Sequence, residues 1–290
     1  GVPHYLIHAY DNPELAQRGL PAARAYAKIA PSAPHALHMP SHIFTRLGLW
    51  DDSIASNIAA RDAARAQSDV GEELHAMDYL TYAYLQRGRA SDAAREVADL
   101  KAMHGLSGAG FKIGYAGNAM PVRLAVETHD WTTAAQLTPM PGSAPQVAAI
   151  VWWARALGKL RAPTPGSADA DIAELQACLE AIRAAHDSYW TAQVDALVKS
   201  AQAWRLAASA NTAAAVTTMR EAADEEDGLE KLPLTPGPIV PSREQLGELL
   251  LAEGRPREAL SAFDAALALA PGRLGALRGK AEAERRIGRL

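Results

Sequence analysis

The chain has 290 residues, of which 49% are apolar, and a formal net charge of -4. That is enough apolar material for a large core in one elongated or two compact domains, and abundant Ala, Leu, Arg and Glu with only three Phe favour an all-helical protein. The ordinary charge, with no Lys/Arg block or basic-aromatic interleaving, argues against a nucleic-acid partner, and no charge-free apolar stretch is long enough to predict a membrane span.

Residues 3–10 read as a short helix carrying His4 and His8. Asp11-Asn12-Pro13 is a turn that caps a second helix, roughly residues 14–29, ending before Pro31. A third helix over 34–47 holds His35, His38 and His42; Pro40 either sits in its first turn or kinks it. Gly48 is a left-handed cap, and residues 51–66 return antiparallel. The same grammar recurs over 74–86 and 91–103, with Arg87-Gly88-Arg89 as the turn and Ala93 and Ala94 where two helices approach.

The segment from Gly105 to Gly117 lacks the Gly-Lys-Ser/Thr ending of a phosphate-binding loop and reads as a surface loop. Residues 119–131 then echo the histidine segment: Met120-Pro121 aligns with Met39-Pro40 and Trp131 with Trp50, while Ala119 and Arg123 stand where His38 and His42 stood. Both tryptophans are expected to be packing residues. Further helices are expected over 143–160, 170–185, 189–208 and 211–226, with the lone Cys178 a small buried residue that excludes an intrachain disulfide. The acidic run from Glu221 to Asp227 reads as a solvated face. Two Pro/Gly-rich connectors, "RAPTPGSAD" and "LPLTPGPIVPS", are too short to act as free tethers.

In the last unit, Leu246, Gly247, Gly254, Ala259, Phe263, Ala266 and Pro271 match the landmarks of the tetratricopeptide repeat, and His4 and His8 precede His38 and His42 by that repeat's length of 34 residues. Along its whole length the chain resembles the tetratricopeptide repeat family. Its "HALHMPSHIF" segment, residues 35–44, is similar to one found in long, poorly characterised bacterial proteins of that family. The resemblance implies an all-α, right-handed superhelix of stacked helix-turn-helix repeats. We expect N-terminal repeats with a histidine-rich groove over 1–140, helical hairpins over 141–232, and a C-terminal unit with a capping helix over 233–290. Opening on Gly1 and a mid-array motif, the chain is expected to continue upstream, and a cytoplasmic or an exported protein is equally compatible with what is seen.

In the family, the second, fifth and ninth residues of each first helix are among those that face a concave groove. Indexed from Gly254, with Gly48 and Gly88 at the same turn position, those places hold His35, His38 and His42 in one unit and His75, Asp78 and Tyr82 in the next. His4 and His8 fall on the fifth and ninth places of the unit before. One groove histidine is an ordinary polar contact; six in register point to a site.

His-x-x-x-His on one helix face lets two imidazoles meet one ion. The expected metal ligands are His4, His8, His38 and His42, with Asp78 converging on them, and the ion would be Zn, Cu, Ni or Fe rather than Mg or Ca. His35, His75, Asp78, Tyr82, Arg123 and Glu127 are the expected ligand-binding surface, although Arg123 and Glu127 are most simply a helix-surface ion pair. Asp11, Asp78 or Glu73 would serve as base or outer partner and Tyr82 as donor; no His-Glu-x-x-His motif is present, and His104, His129 and His186 are given no role. The leading function is a scaffold that binds a protein, peptide or small ligand in its concave groove. The alternative is a metal-dependent enzyme of hydrolase or oxidase type using the histidines.

Overall fold

The computed structural model describes residues 2–26, 29, 32–232 and 234–288, so the expected end of the second helix before Pro31 lies outside the described residues. The chain is all-α, and no strand occurs among the described residues. In order the helices are α1 (Val2–Tyr10), α2 (Ala16–Tyr26), α3 (Pro34–His38), α4 (Pro40–Arg46), α5 (Trp50–Ala66), α6 (Val70–Gln86), α7 (Ala90–Ala102) and α8 (Phe111–Glu127). They continue as α9 (Trp131–Ala134), α10 (Pro145–Leu160), α11 (Asp169–Ala184), α12 (Ser188–Ala208), α13 (Thr212–Asp227), α14 (Ser242–Ala252), α15 (Pro256–Leu269) and α16 (Leu274–Ile287). None is long and apolar enough to cross a membrane.

Successive helices form hairpins, and α6, α8, α10, α12 and α14 also pack on one another as the inner layer of a superhelix. The turns follow from glycine: Gly48, Gly88 and Gly254 adopt φ of +68°, +74° and +69°, a region that costs other residues about 1–2 kcal/mol. In the echo segment His129 takes the turn position at φ +56°, and His186 does the same after α11.

Two local expectations change. The third helix is interrupted at Met39, where Pro40 lacks an N–H to donate, yet Met39 keeps helical angles (φ -49°, ψ -41°), so His38 and His42 remain one turn apart. The glycine-rich stretch is a loop only to Gly110; from Phe111 it is the first half of α8. Its glycines are there for space, since a Cβ on Gly114 would strike the Gly108 carbonyl and one on Gly117 the Met140 side chain.

The superhelix closes on itself. Residues 235–238 of the second connector do not run along the outside but lie on the concave side, and there they meet the polar residues of α6 and α8. Tyr79 donates to the Thr235 carbonyl (3.0 Å), and Arg123 donates to the carbonyls of Gly237 (3.0 Å) and Pro238 (3.2 Å). The C-terminal hairpin completes the closure, with α16 against α6, the Trp50 indole donating to the Gly272 carbonyl (3.0 Å), and Leu274 N–H donating to Gln86 (2.9 Å). Gly48 makes room for this contact, because a Cβ there would meet the Pro271 carbonyl. Trp50 is therefore a packing residue that also ties two distant units together.

Candidate metal centre

Beneath the histidines, Ile7, Ala23, Met39, Ile43 and Phe44 form a small apolar cluster joining α1, α2, α3 and α4. With those helices fixed on that side, the other side of α3 and α4 faces α6, and His38, His42 and His75 are buried together. One nitrogen from each of the three lies within 4.8 Å of the others. The rings of His38 and His75 are 4.2 Å apart centre to centre, and those of His38 and His42 4.9 Å.

Partners fix the ring protons. Asn57 donates its amide to the Ser53 carbonyl (2.8 Å), which leaves its oxygen to accept from His38 Nδ1 at 2.7 Å. Asp11 accepts from His42 Nδ1 at 2.9 Å, so this ring also carries its proton on Nδ1. Both Nε2 atoms are then bare lone pairs, and they face each other at 3.1 Å. Two lone pairs at that distance repel unless a proton or a cation stands between them.

A proton is disfavoured, because burial is the main influence on both rings. It holds His42 down to about 4, against the opposing pull of Asp11, and His38 well below its ordinary value. Burial, followed by the neighbouring His38, holds His75 low as well. A cation fits the spacing: nitrogens bound at about 2.0–2.1 Å in tetrahedral geometry lie about 3.3 Å apart. Hydrogen bonds from the non-ligating nitrogens to Asn57 and Asp11 supply the outer partners that metal-bound imidazoles usually have.

Asp11 is itself held by four donors. Its carboxylate accepts from His42, from Lys231 (2.6 Å) and from Arg46 (2.9 Å), and its carbonyl accepts from Arg46 (2.9 Å). Burial alone would raise this carboxyl, but Lys231, His42 and Arg46 outweigh it and hold it well below the usual range. Arg46 and Lys231 also line a cavity of about 480 Å³ with Tyr115, Tyr189 and Trp190, and its described lining includes none of the six clustered histidines.

The other predicted residues separate into two sets. His4, His8 and His35 form a second group whose ligand nitrogens lie within 4.8 Å of one another. The six histidines thus come together, but not as the quartet of His4, His8, His38 and His42. Asp78 is turned away from them, paired with Arg123 at 3.0 Å, and Glu127 pairs with Arg273 at 2.9 Å; the expected Arg123–Glu127 pair is replaced by these. Tyr82 accepts from Arg273 (3.1 Å), and Glu73 pairs with Arg65 (2.7 Å). Tyr82, Arg123 and Glu127 therefore meet the chain's own connector and C-terminal unit, and Asp78 holds Arg123 there.

Sequence reasoning missed Asn57, Tyr79, Arg46 and Lys231. Asn57 had a readable signal, an amide amid alanines in a helix that offers it little. Lys231 had none, being 220 residues from Asp11.

No family model matches the chain, and no curated protein matches it. Among solved structures it is similar to the assembly chaperone of RpL4 (Acl4), residues 1–338, at 17% identity and a TM-score of 0.31, over 96% of this chain and 90% of that one.

Proposed function

We propose that this chain is a metal-binding helical-repeat protein of tetratricopeptide type, with a late first-row divalent ion held by His38, His42 and His75. The observation that carries this reading is the pair of His38 and His42 Nε2 atoms facing each other at 3.1 Å in a buried site, with each ring's Nδ1 beside an oxygen acceptor. A set of three imidazoles suits Zn²⁺, Cu²⁺, Ni²⁺ or Fe²⁺. It also leaves at least one coordination position for water or another ligand, as in catalytic zinc sites.

The test is elemental analysis of protein prepared without a metal-affinity tag. The parent is expected to retain tightly bound metal through desalting, and His38→Gln/His42→Gln to lose the buried ion while circular dichroism confirms that it folds. Asn57→Ala, which removes the acceptor beside His38 Nδ1 and leaves all three imidazoles in place, is expected to weaken binding about 10–100-fold. A parent that binds no ion, with no metal-dependent rise in melting temperature, would sink the reading.

Partner binding is the second reading, and a different surface favours it. The connector and the last hairpin fill the groove beside α6 and α8, whereas Val2, Tyr5 and Leu6 leave apolar side chains exposed on α1. A protein partner of this scaffold would use that face. Capture that is lost in Tyr5→Lys/Leu6→Lys but kept in His38→Gln/His42→Gln is the expected result; the reverse pattern would return recognition to the groove.

A further inference from the structure

The buried triad is built by a rule. It takes the fifth and ninth positions of one unit's first helix, His38 and His42, and the second position of the next unit's, His75. One unit earlier the same three positions are His4, His8 and His35. One unit later they are Asp78, Tyr82 and Ala116, which do not form a three-histidine set.

We propose that the repeat has built this site twice, and that His4, His8 and His35 hold a second ion of the same class beside the first, giving a paired centre with one buried and one solvent-facing member. The proposal rests on the buried triad being a metal site.

The geometry of the outer group parallels that of the inner one. His4 and His8 lie one turn apart on α1 with ring centres at 4.7 Å, and His35 reaches in from α3 with its ring 5.3 Å from that of His4. All three ligand nitrogens fall within 4.8 Å of one another.

A carboxylate also stands behind the outer group. Glu72 Oε2 is 3.6 Å from His35 Nδ1 and, although buried, has no hydrogen-bond partner, while Lys112 holds the other oxygen. It occupies the place relative to His35 that Asp11 occupies relative to His42. Its unpartnered oxygen is therefore placed either to orient His35 or to join the ion.

The two groups adjoin. His35 and His38 are one turn apart on α3, and the rings of His8 and His42 are 5.7 Å apart. They differ in access: the inner rings are buried, whereas the His35 side chain is 46% exposed. The outer ion therefore exchanges faster and is removed first by a chelator, and the inner ion is retained.

Titration of chelator-treated full-length chain with Cu²⁺, followed by elemental analysis and electron paramagnetic resonance, tests the pair. The parent is expected to bind two equivalents, and the second is expected to broaden the signal of the first by dipolar coupling. His4→Gln/His8→Gln and the exposed-site variant His35→Gln are each expected to keep one equivalent with a narrow signal, and His38→Gln/His42→Gln to keep the other. A parent that stops at one equivalent, unchanged in His4→Gln/His8→Gln, overturns the second site and leaves the buried one standing. One equivalent in the parent and none in His4→Gln/His8→Gln overturns the pair through failure of the buried site. Two equivalents without coupling also overturn it, since the ions would then be far apart.

Discussion

Arg273→Leu is expected to unfold about 3–5 kcal/mol more easily than the parent, because removing one member of a buried ionic group leaves its partners charged and unpaired. The Arg273 guanidinium is fully buried and donates to Glu244 (2.7 Å), Glu127 (2.9 Å) and Tyr82 (3.1 Å). Two buried carboxylates lose their counter-charge at once. Burial already raises Glu244 against the pull of Arg273, and without the arginine it rises further.

The sign of the pH effect follows. A carboxyl raised above its unfolded value favours the fold below that unfolded value and loses this contribution as pH rises through the folded one. The gap between variant and parent should therefore narrow from pH 8 to pH 5, measured by urea denaturation. A constant gap would mean that lost packing, rather than unpaired charge, is the cause.

Glu226→Gln is expected to gain about 3 kcal/mol of stability relative to the parent between pH 4.5 and pH 8.5, followed by urea denaturation across that range. Burial raises Glu226 from 4.5 to about 7, against hydrogen bonds from the Ser242 backbone and hydroxyl. Each tenfold change in proton affinity on folding is worth about 1.4 kcal/mol, so a folded value this far above the unfolded one removes about 3 kcal/mol from the parent as pH rises through about 7. Glutamine does not titrate, so the difference between the two proteins isolates this group from the buried histidines, which act with the opposite sign. Curves that stay parallel over that range would show that Glu226 titrates normally.

Glu226 also marks where the sequence is opaque. The acidic run reads as solvated because its composition is, and Asp224 does remain exposed beside Arg243. Glu226 points inward only because the chain returns at Ser242, 16 residues later, and places a backbone N–H against it. By contrast, the hairpins are legible because their cause is local. Gly48, Gly88 and Gly254 mark turns whose positive φ few other residues adopt at low cost.

The histidine face is legible for the same reason, since spacing fixes which side of a helix a residue occupies. Spacing does not fix which rings meet across the gap between units. His75 therefore joins His38 and His42, and His35 joins His4 and His8, rather than both standing apart as ligand contacts. Asp78, Tyr82, Arg123 and Glu127 do lie on an inner surface, as their helical positions imply. What they face is the chain's own distant part: Arg123, held by Asp78, meets the carbonyls of a connector 114 residues on, and Tyr82 and Glu127 meet Arg273.

The Trp50–Gly272 and Arg273–Tyr82 contacts have a consequence for how the molecule folds. An open solenoid folds by neighbour-to-neighbour propagation, can start anywhere, and frays from its ends. Here residues 222 and 191 positions apart must find each other before the last hairpin is secured. Closing so long a loop raises the contact order, which slows folding, and makes loss of either end felt at the other. The chain should therefore refold more slowly than an open array of equal length and unfold as one cooperative unit.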